Sequence, residues 1–254
     1  MECDVRNKTI FVTGSSSGLG YELAKILGAK GARVLINGKK LPKLVTASKQ
    51  IRNSDYILGD ITSEVSCRKI HDEIQSKYGS LDVLICNLGS GKSVEPGKED
   101  IDEWKRVFDL NFWASIHSIY TLVSLLKVNT NSSIICISSI CGLERIKGAP
   151  ITYSVAKSAL NVFVQAYAPI IADRGIRINA IVPGNLMFPG SSWDKKHLED
   201  PIGIVEMLNT EVPLKRFGEA DEISKAIAFL ASDAARFMTG TLLKIDGGQV
   251  RSFS

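Results

Sequence analysis

The chain has 254 residues, 44% of them hydrophobic, enough to fill the core of one α/β domain or two small ones. Its 31 lysines and arginines stand against 27 acids, a formal net charge of +4, and they are scattered without blocks, which excludes a nucleic-acid-binding stripe. Five cysteines (Cys3, Cys67, Cys86, Cys136, Cys141), odd in number and without a C-x-x-C pair, read as reduced core residues of a cytoplasmic protein, and neither an export signal nor the ~18 unbroken apolar residues of a membrane span is found.

In chain order, "TIFVTG" (9–14) reads as a strand and leads into a helix over 20–30. "ARVLING" (32–38) and "DYILG" (55–59) are strands, each followed by a helical pattern, over 41–52 and 64–78. "LDVLICN" (81–87) precedes a long helix over 102–127, and "SSIICISS" (132–139) precedes another over 153–173. Pro169 lies inside that last pattern and predicts a bend, because proline removes one backbone bond. "GIRINAIVP" (175–183), a helix over 220–231 and "GTLLKID" (240–246) complete the order.

Near-continuous apolar strands alternating with helices predict an α/β fold: a doubly wound, Rossmann-type seven-stranded parallel sheet with helices on both faces. No linker divides the chain, so residues 1–254 read as a single domain. Residues 185–217, rich in Pro, Gly and charge and weakly periodic, read as a loop, and a loop of that length implies a functional role.

Gly14, Gly18 and Gly20 follow the first strand and open the first helix, interleaved with Ser16, Ser17 and Leu19. Backbone N–H groups and a helix N-terminus there suit a pyrophosphate, although the G-x-x-x-G-x-G spacing alone also fits a small-residue turn. Tyr153 and Lys157 are four residues apart on one helical face, where an ammonium would favour the phenolate and make Tyr153 an acid near neutral pH. The same spacing also fits a packed surface pair. Ser138 and Ser139 end a strand, where their hydroxyls either polarise a carbonyl oxygen or cap a turn.

Taken together, "TGSSSGLG" (13–20), "GDIT" (59–62), "CNLG" (86–89), Asn111, "SSICG" (138–142), "YSVAK" (153–157), "INAIVPG" (178–184), "RFGEADEI" (216–223) and "TGTLLKIDGG" (239–248) resemble the short-chain dehydrogenase/reductases over nearly the whole chain. The resemblance, nearest to 3-oxoacyl-carrier-protein reductases, implies an oxidoreductase that interconverts a carbonyl and a secondary alcohol by hydride transfer. It implies that Tyr153 exchanges the proton and that Lys157 holds the nicotinamide ribose. Ser139, chosen over Ser138 because Gly142 follows it by three, would steady the substrate oxygen, and Asn111 would maintain a water relay from Lys157. The glycine loop (Gly14, Ser16, Ser17, Gly18, Leu19, Gly20) would hold the pyrophosphate. Asp60 and Ile61 would lie by the adenine, Asn87 and Gly89 by the ribose, and Pro183 and Gly184 against the nicotinamide.

The sequence departs from the family at Leu88, where a small residue is usual, and at Phe188, where a threonine often bonds the carboxamide. The second strand ends at Gly38 with no acid, followed by Lys39 and Lys40, so NADP(H) is expected over NAD(H), with Lys39 pairing the 2′-phosphate. The segment after Gly184 resembles a substrate lid over about 185–217, with Phe188, Trp193 and Met207 as apolar contacts. A 3-oxoacyl thioester, carrier-linked, and a sugar or nucleotide-linked sugar are the two substrate classes this suggests. A non-catalytic NADP(H)-binding sensor or assembly subunit is the alternative from another class. His71, His117 and His197 are far apart in sequence, so no metal centre is expected. The family's habit implies a homotetramer.

Overall fold

The computed structural model describes residues 3–251. Its main sheet holds β1 (Thr9–Val12), β2 (Arg33–Gly38), β3 (Ser54–Leu58), β4 (Val83–Cys86), β5 (Ser133–Ile137), β6 (Arg177–Pro183) and, after a two-stranded pair of β7 (Leu186–Met187) and β8 (Gly218–Glu219), β9 (Leu242–Ile245). The seven strands run parallel in the order β3-β2-β1-β4-β5-β6-β9. The order reverses between β1 and β4, and the carboxyl ends of these strands open the crevice in which such sheets bind ligands.

The helices are α1 (Gly18–Ala29), α2 (Leu41–Gln50), α3 (Glu64–Tyr78), α4 (Ile101–Phe108), α5 (Ala114–Leu122), α6 (Ile151–Ala172), α7 (Ser192–Glu199), α8 (Pro201–Glu211) and α9 (Ala220–Ala231). Strand side chains alternate between faces, so β1 sends Ile10 and Val12 into one layer with Leu23 and Leu27 of α1, Leu44 of α2 and Ile227 of α9. Phe11 points the other way, into a layer with Ile70 of α3, Ile119 of α5 and Leu160 of α6. Each such large, fully buried side chain contributes roughly 1.5–3 kcal/mol, so both faces must be covered for the sheet to stay closed. The expected seven-stranded parallel sheet with helices on both faces is the sheet observed.

Two local expectations change. The long helix over 102–127 is not continuous: a π turn at Asp109–Trp113 separates α4 from α5, and a 3₁₀ turn follows at Val123–Leu125. The cause sits at Asn111, whose Nδ2 donates to the Val107 carbonyl four residues back at 2.9 Å, taking an acceptor the backbone ladder would use. The segment over 185–217 is not a plain loop, since α7 and α8 lie within it. Ser191 caps α7 by accepting from the Asp194 N–H at 3.0 Å, and Asp200 caps α8 by accepting from the Gly203 N–H at 2.9 Å. Helix α6 runs past Pro169 to Ala172. Pro169 and Gln165, whose carbonyl loses its N–H partner, are both exposed, so water can replace the missing bond.

Candidate active site

The loop after β1 has a backbone only glycine adopts easily: Gly14 has φ +60°, and a Cβ placed there would come 2.7 Å from Leu88 Cδ1. Asn37, Ser15 and Thr13, which sequence reading did not single out, fix this loop together with Asn87. Asn37 accepts from the Gly14 N–H at 3.2 Å and donates to the carbonyls of Ile57 and Gly59 at 3.2 and 3.1 Å, tying the loop to the end of β3. Ser15 donates to the Val12 carbonyl at 2.6 Å and accepts from the Asn37 N–H at 2.9 Å. Thr13 Oγ1 accepts from the N–H groups of Asn87 and Leu88 at 2.9 and 3.1 Å, and Asn87 Nδ2 donates back to the Thr13 carbonyl at 3.0 Å. Buried polar groups of this kind must find partners, and a buried Asn at the end of a strand was the one available signal. Leu88, the departure from the family pattern, packs on Gly14 and against the layer that holds Phe11.

The loop after β4 meets the long helices at Gly89. A Cβ on Gly89 would come 2.8 Å from Asn111 Oδ1 and 3.3 Å from Lys157 Nζ, so only glycine lets the chain pass this close to both. Asn111, fully buried, holds the next residue from both sides: its Oδ1 accepts from the Ser90 N–H at 2.9 Å and its Nδ2 donates to the Ser90 carbonyl at 3.1 Å. Further along, Ser93 Oγ lies 2.7 Å from Glu103 Oε1 and 2.8 Å from Thr152 Oγ1. A carboxylate only accepts, so Ser93 donates its single proton to Glu103 and Thr152 donates to Ser93. Arg106 pairs with Glu103 at 2.7 Å and also donates to the Lys92 carbonyl at 3.0 Å. Arg106 and Ser93 together pull the Glu103 carboxyl down to about 2. The loop is thereby pinned to α4 and to the residue beside Tyr153.

At the end of β5 the two serines differ. Ser138 donates to Asn161 Oδ1 at 2.6 Å, and Asn161 Nδ2 donates to the Gly142 carbonyl at 3.1 Å, so that hydroxyl is committed to structure. Ser139 Oγ accepts from the Cys141 N–H at 3.2 Å, and its hydroxyl hydrogen-bonds the Tyr153 phenol, which lowers the tyrosine pKa. Lys157 is buried, donates to the Ile137 carbonyl at 2.8 Å and lies 5.8 Å from the centre of the Tyr153 ring. Burial pulls its pKa down to about 8, opposed by the thiols of Cys136, Cys86 and Cys141. The expected depression of Tyr153 by Lys157 is corrected here: burial, and next Cys141, push the phenol well above its usual value. The lysine proton is aimed at the Ile137 carbonyl, and the phenol loses more from desolvation than it gains from Ser139.

The remaining predicted residues lie at and beyond the carboxyl ends of β3 and β6. Asp60 follows β3; its carboxylate accepts from the Thr62 N–H and hydroxyl at 3.0 and 2.7 Å and pairs with Lys39 at 3.4 Å. Ile61 is buried beside Asp60. Pro183 ends β6, and the Asn185 N–H after Gly184 is held at 2.7 Å by Oε1 of Gln249, a buried residue that sequence reading missed. Phe188 lies 3.7 Å from where a Gly18 Cβ would stand, so the segment after β6 rests on the glycine loop. Further along it Lys196 sits 4.7 Å over the Trp193 ring, which in turn packs 5.4 Å from Phe217. Among the described residues no group of three His, Cys, Asp or Glu side chains gathers for a metal ion.

The chain is similar to known proteins over its length. The family model described as enoyl-(acyl carrier protein) reductase matches residues 14–249. A glucose 1-dehydrogenase of Gluconobacter oxydans is 31% identical over 251 residues, covering 95% of this chain and 91% of the relative. A 3-oxoacyl-[acyl-carrier-protein] reductase of Rickettsia conorii is 28% identical, covering 97% and 98%. The crystal structure of L-sorbose reductase from Gluconobacter frateurii, complexed with NADPH and L-sorbose, superposes with a TM-score of 0.90 at 25% identity and covers 100% of both chains. With the glycine loop, the Ser139–Tyr153–Lys157 cluster and the sheet order in place, the chain belongs to the short-chain dehydrogenase/reductase family of oxidoreductases.

Proposed function

We propose that this oxidoreductase interconverts a carbonyl and a secondary alcohol with NADP(H) in preference to NAD(H), within one domain spanning the chain. The observation that carries the reading is the convergence of Ser139, Tyr153 and Lys157 on one cleft beside the glycine loop. The residues fit a dinucleotide: Gly89 leaves room beside Lys157 and Asn111 that a side chain would fill, and the loop from Gly14 to Gly20, with Ser16, Ser17, Gly18 and Leu19, offers backbone N–H groups at the start of α1. Asp60, Ile61 and Asn87 would border the adenosine, and Pro183 and Gly184 the nicotinamide.

The chemistry a bound reduced nicotinamide would supply is a hydride for the carbonyl carbon. Tyr153, held protonated at neutral pH by burial, donates its proton to the carbonyl oxygen. Ser139 directs its hydroxyl proton to the same oxygen, a bond that strengthens as negative charge builds there. Lys157 supplies positive charge and holds the ribose, and Asn111 keeps Ser90 and Gly89 in place against it.

Two substrate classes remain in the reading, a sugar-like carbonyl and a 3-oxoacyl thioester. Relatives named for a sugar and for a 3-oxoacyl thioester are 31% and 28% identical, too near to decide, and the lid favours the first: Lys196 is taken up by Trp193, and Asp194, Glu199 and Asp200 dilute Lys195 and His197 as a basic rim for a carrier. A homotetramer is part of the same proposal. Tyr120 of α5 and Val162 and Ile170 of α6 are 60%, 61% and 64% exposed, an apolar face of the kind that second copies cover. Titration of the protein with NADPH and with NADH, read by energy transfer from its tryptophans, tests the cofactor reading. Tighter NADPH binding supports it, and equal or tighter NADH binding overturns the preference.

A further inference from the structure

The end of β2, where the adenosine ribose would sit, offers less free charge than its two lysines suggest. Lys39 Nζ is 3.4 Å from the Asp60 carboxylate, so its charge is shared with an acid. The second basic group lies elsewhere. A cleft of about 500 Å³ opens between α1 and α2, walled by Ser16, Ser17 and Gly18 of the glycine loop, by Pro42, Lys43, Thr46 and Ala47 of α2, and by Pro189 at the start of the lid. It begins where the glycine loop touches the end of β2: a Cβ on Gly38 would stand 2.9 Å from Ser16 Oγ. At its other end Tyr21 donates to Gln50 Oε1 at 2.6 Å and closes the wall. Lys43 is the one cation and Glu22 the one carboxylate lining this cleft, and neither is in an ion pair among the described residues.

We propose that Lys43, in the first turn of α2, is the residue that selects a 2′-phosphorylated adenosine, pairing with the phosphate while Ser16 and Ser17 donate to it. The proposal rests on the NADP(H) reading and moves the selecting charge from Lys39 to Lys43. Three features support it. Lys43 shares one cleft with both serine hydroxyls, whereas Lys39 is turned to Asp60. A phosphate dianion entering beside an unpaired ammonium gains a charge-assisted contact that an unphosphorylated ribose cannot make. Glu22 on the same wall opposes the phosphate, so the lining is balanced between the two cofactors, and one lysine can decide the preference.

The test is calorimetry on the full chain with four probes: NADPH, NADH, 2′,5′-ADP and 5′-ADP. Lys43→Ala is expected to weaken NADPH and 2′,5′-ADP about tenfold and to leave NADH and 5′-ADP unchanged. Lys39→Ala should change the NADPH to NADH ratio by no more than about twofold, as expected for an exposed, already paired charge. Lys43→Arg should keep the preference, and Glu22→Gln should tighten only the two phosphorylated probes. The proposal is overturned if Lys43→Ala leaves the ratio unchanged, weakens all four probes alike, or if Lys39→Ala alone abolishes the preference. A wild-type protein that binds NADH as tightly as NADPH overturns the cofactor reading itself, an outcome visible before any variant is made. Lys43 is exposed, so its replacement leaves the core intact.

Discussion

Ser138 and Ser139 are adjacent and chemically identical, yet their protons go to different places. Ser138 spends its proton on Asn161, whereas the Ser139 hydroxyl turns to the Tyr153 phenol. Ser138→Ala is therefore expected to cost about 1–3 kcal/mol of stability in denaturant melts, by leaving the Asn161 Oδ1 without its donor, with turnover largely kept. Ser139→Ala should instead lower turnover about a hundredfold with little change in stability. Lys157 gives a pH signature. Its pKa falls from 10.5 to about 8 in the folded protein, so between those values the unfolded chain binds more protons and stability rises with pH. Below about 8 it is charged in both states and the burial cost is present in full. Relative to Lys157→Met, the wild type should gain up to about 3 kcal/mol as pH rises through this window, and carbonyl reduction should slow as the ammonium is lost. At this scale the proposed reacting side chains came from the family resemblance, because the spacing of Tyr153 and Lys157 by itself also fits a packed surface pair. The direction of the tyrosine pKa was not, because it depends on how far burial outweighs a neighbouring charge, and no sequence pattern carries that.

Between α4 and α5 a single residue changes the helix. Asn111 takes the Val107 carbonyl, turns the backbone into a π turn and so brings its side chain to both polar groups of Ser90. Asn111→Leu should relax this turn toward ordinary helix and free the loop at Gly89 and Ser90. The expected result is a loss of about 1–3 kcal/mol in stability, weaker NADPH binding, and faster hydrogen exchange at the Ser90 amide. Unchanged exchange at Ser90 would show that the clamp is not what holds the loop. The apolar periodicity over 102–127 could not reveal the break, since α4, the π turn and α5 continue one buried stripe with Val107, Ala114 and Leu122. The helices of the lid escaped notice for a different reason. Their caps are plain in the sequence as Ser191 and Asp200–Pro201, but α7 has no buried residue and α8 only Ile204, so neither carries an apolar stripe.

The sheet was legible because its central strands β1, β4, β5 and β6 are buried on both faces and read as apolar runs, while the helices between strands show one apolar side. The whole molecule leaves one face unexplained by its own core. Helix α6 is long and apolar enough to cross a membrane by composition, yet Leu160, Val164, Ala168 and Ile171 face the sheet, and Val162 and Ile170 face outward beside the stacked Phe163 and Tyr167. Association through this face is the account's expectation. Sedimentation at micromolar concentration should show a tetramer, and Tyr120→Glu with Val162→Glu should dissociate it; a monomeric wild type would refute the assembly.

In the proposed function, Tyr153 performs acid–base chemistry in a carbonyl–alcohol oxidoreductase. The most direct measurement is nicotinamide oxidation by wild type and Tyr153→Phe, supplied with NADPH and a panel of ketoses, cyclic ketones and 3-oxoacyl thioesters, with cofactor binding measured alongside. The account predicts carbonyl-dependent oxidation by the wild type and a loss of at least about a hundredfold in the variant, with NADPH binding retained. Turnover that survives in Tyr153→Phe, or a wild type that binds NADPH yet oxidises it with no carbonyl in the panel, would contradict it and favour a protein that uses the fold to sense or carry the cofactor.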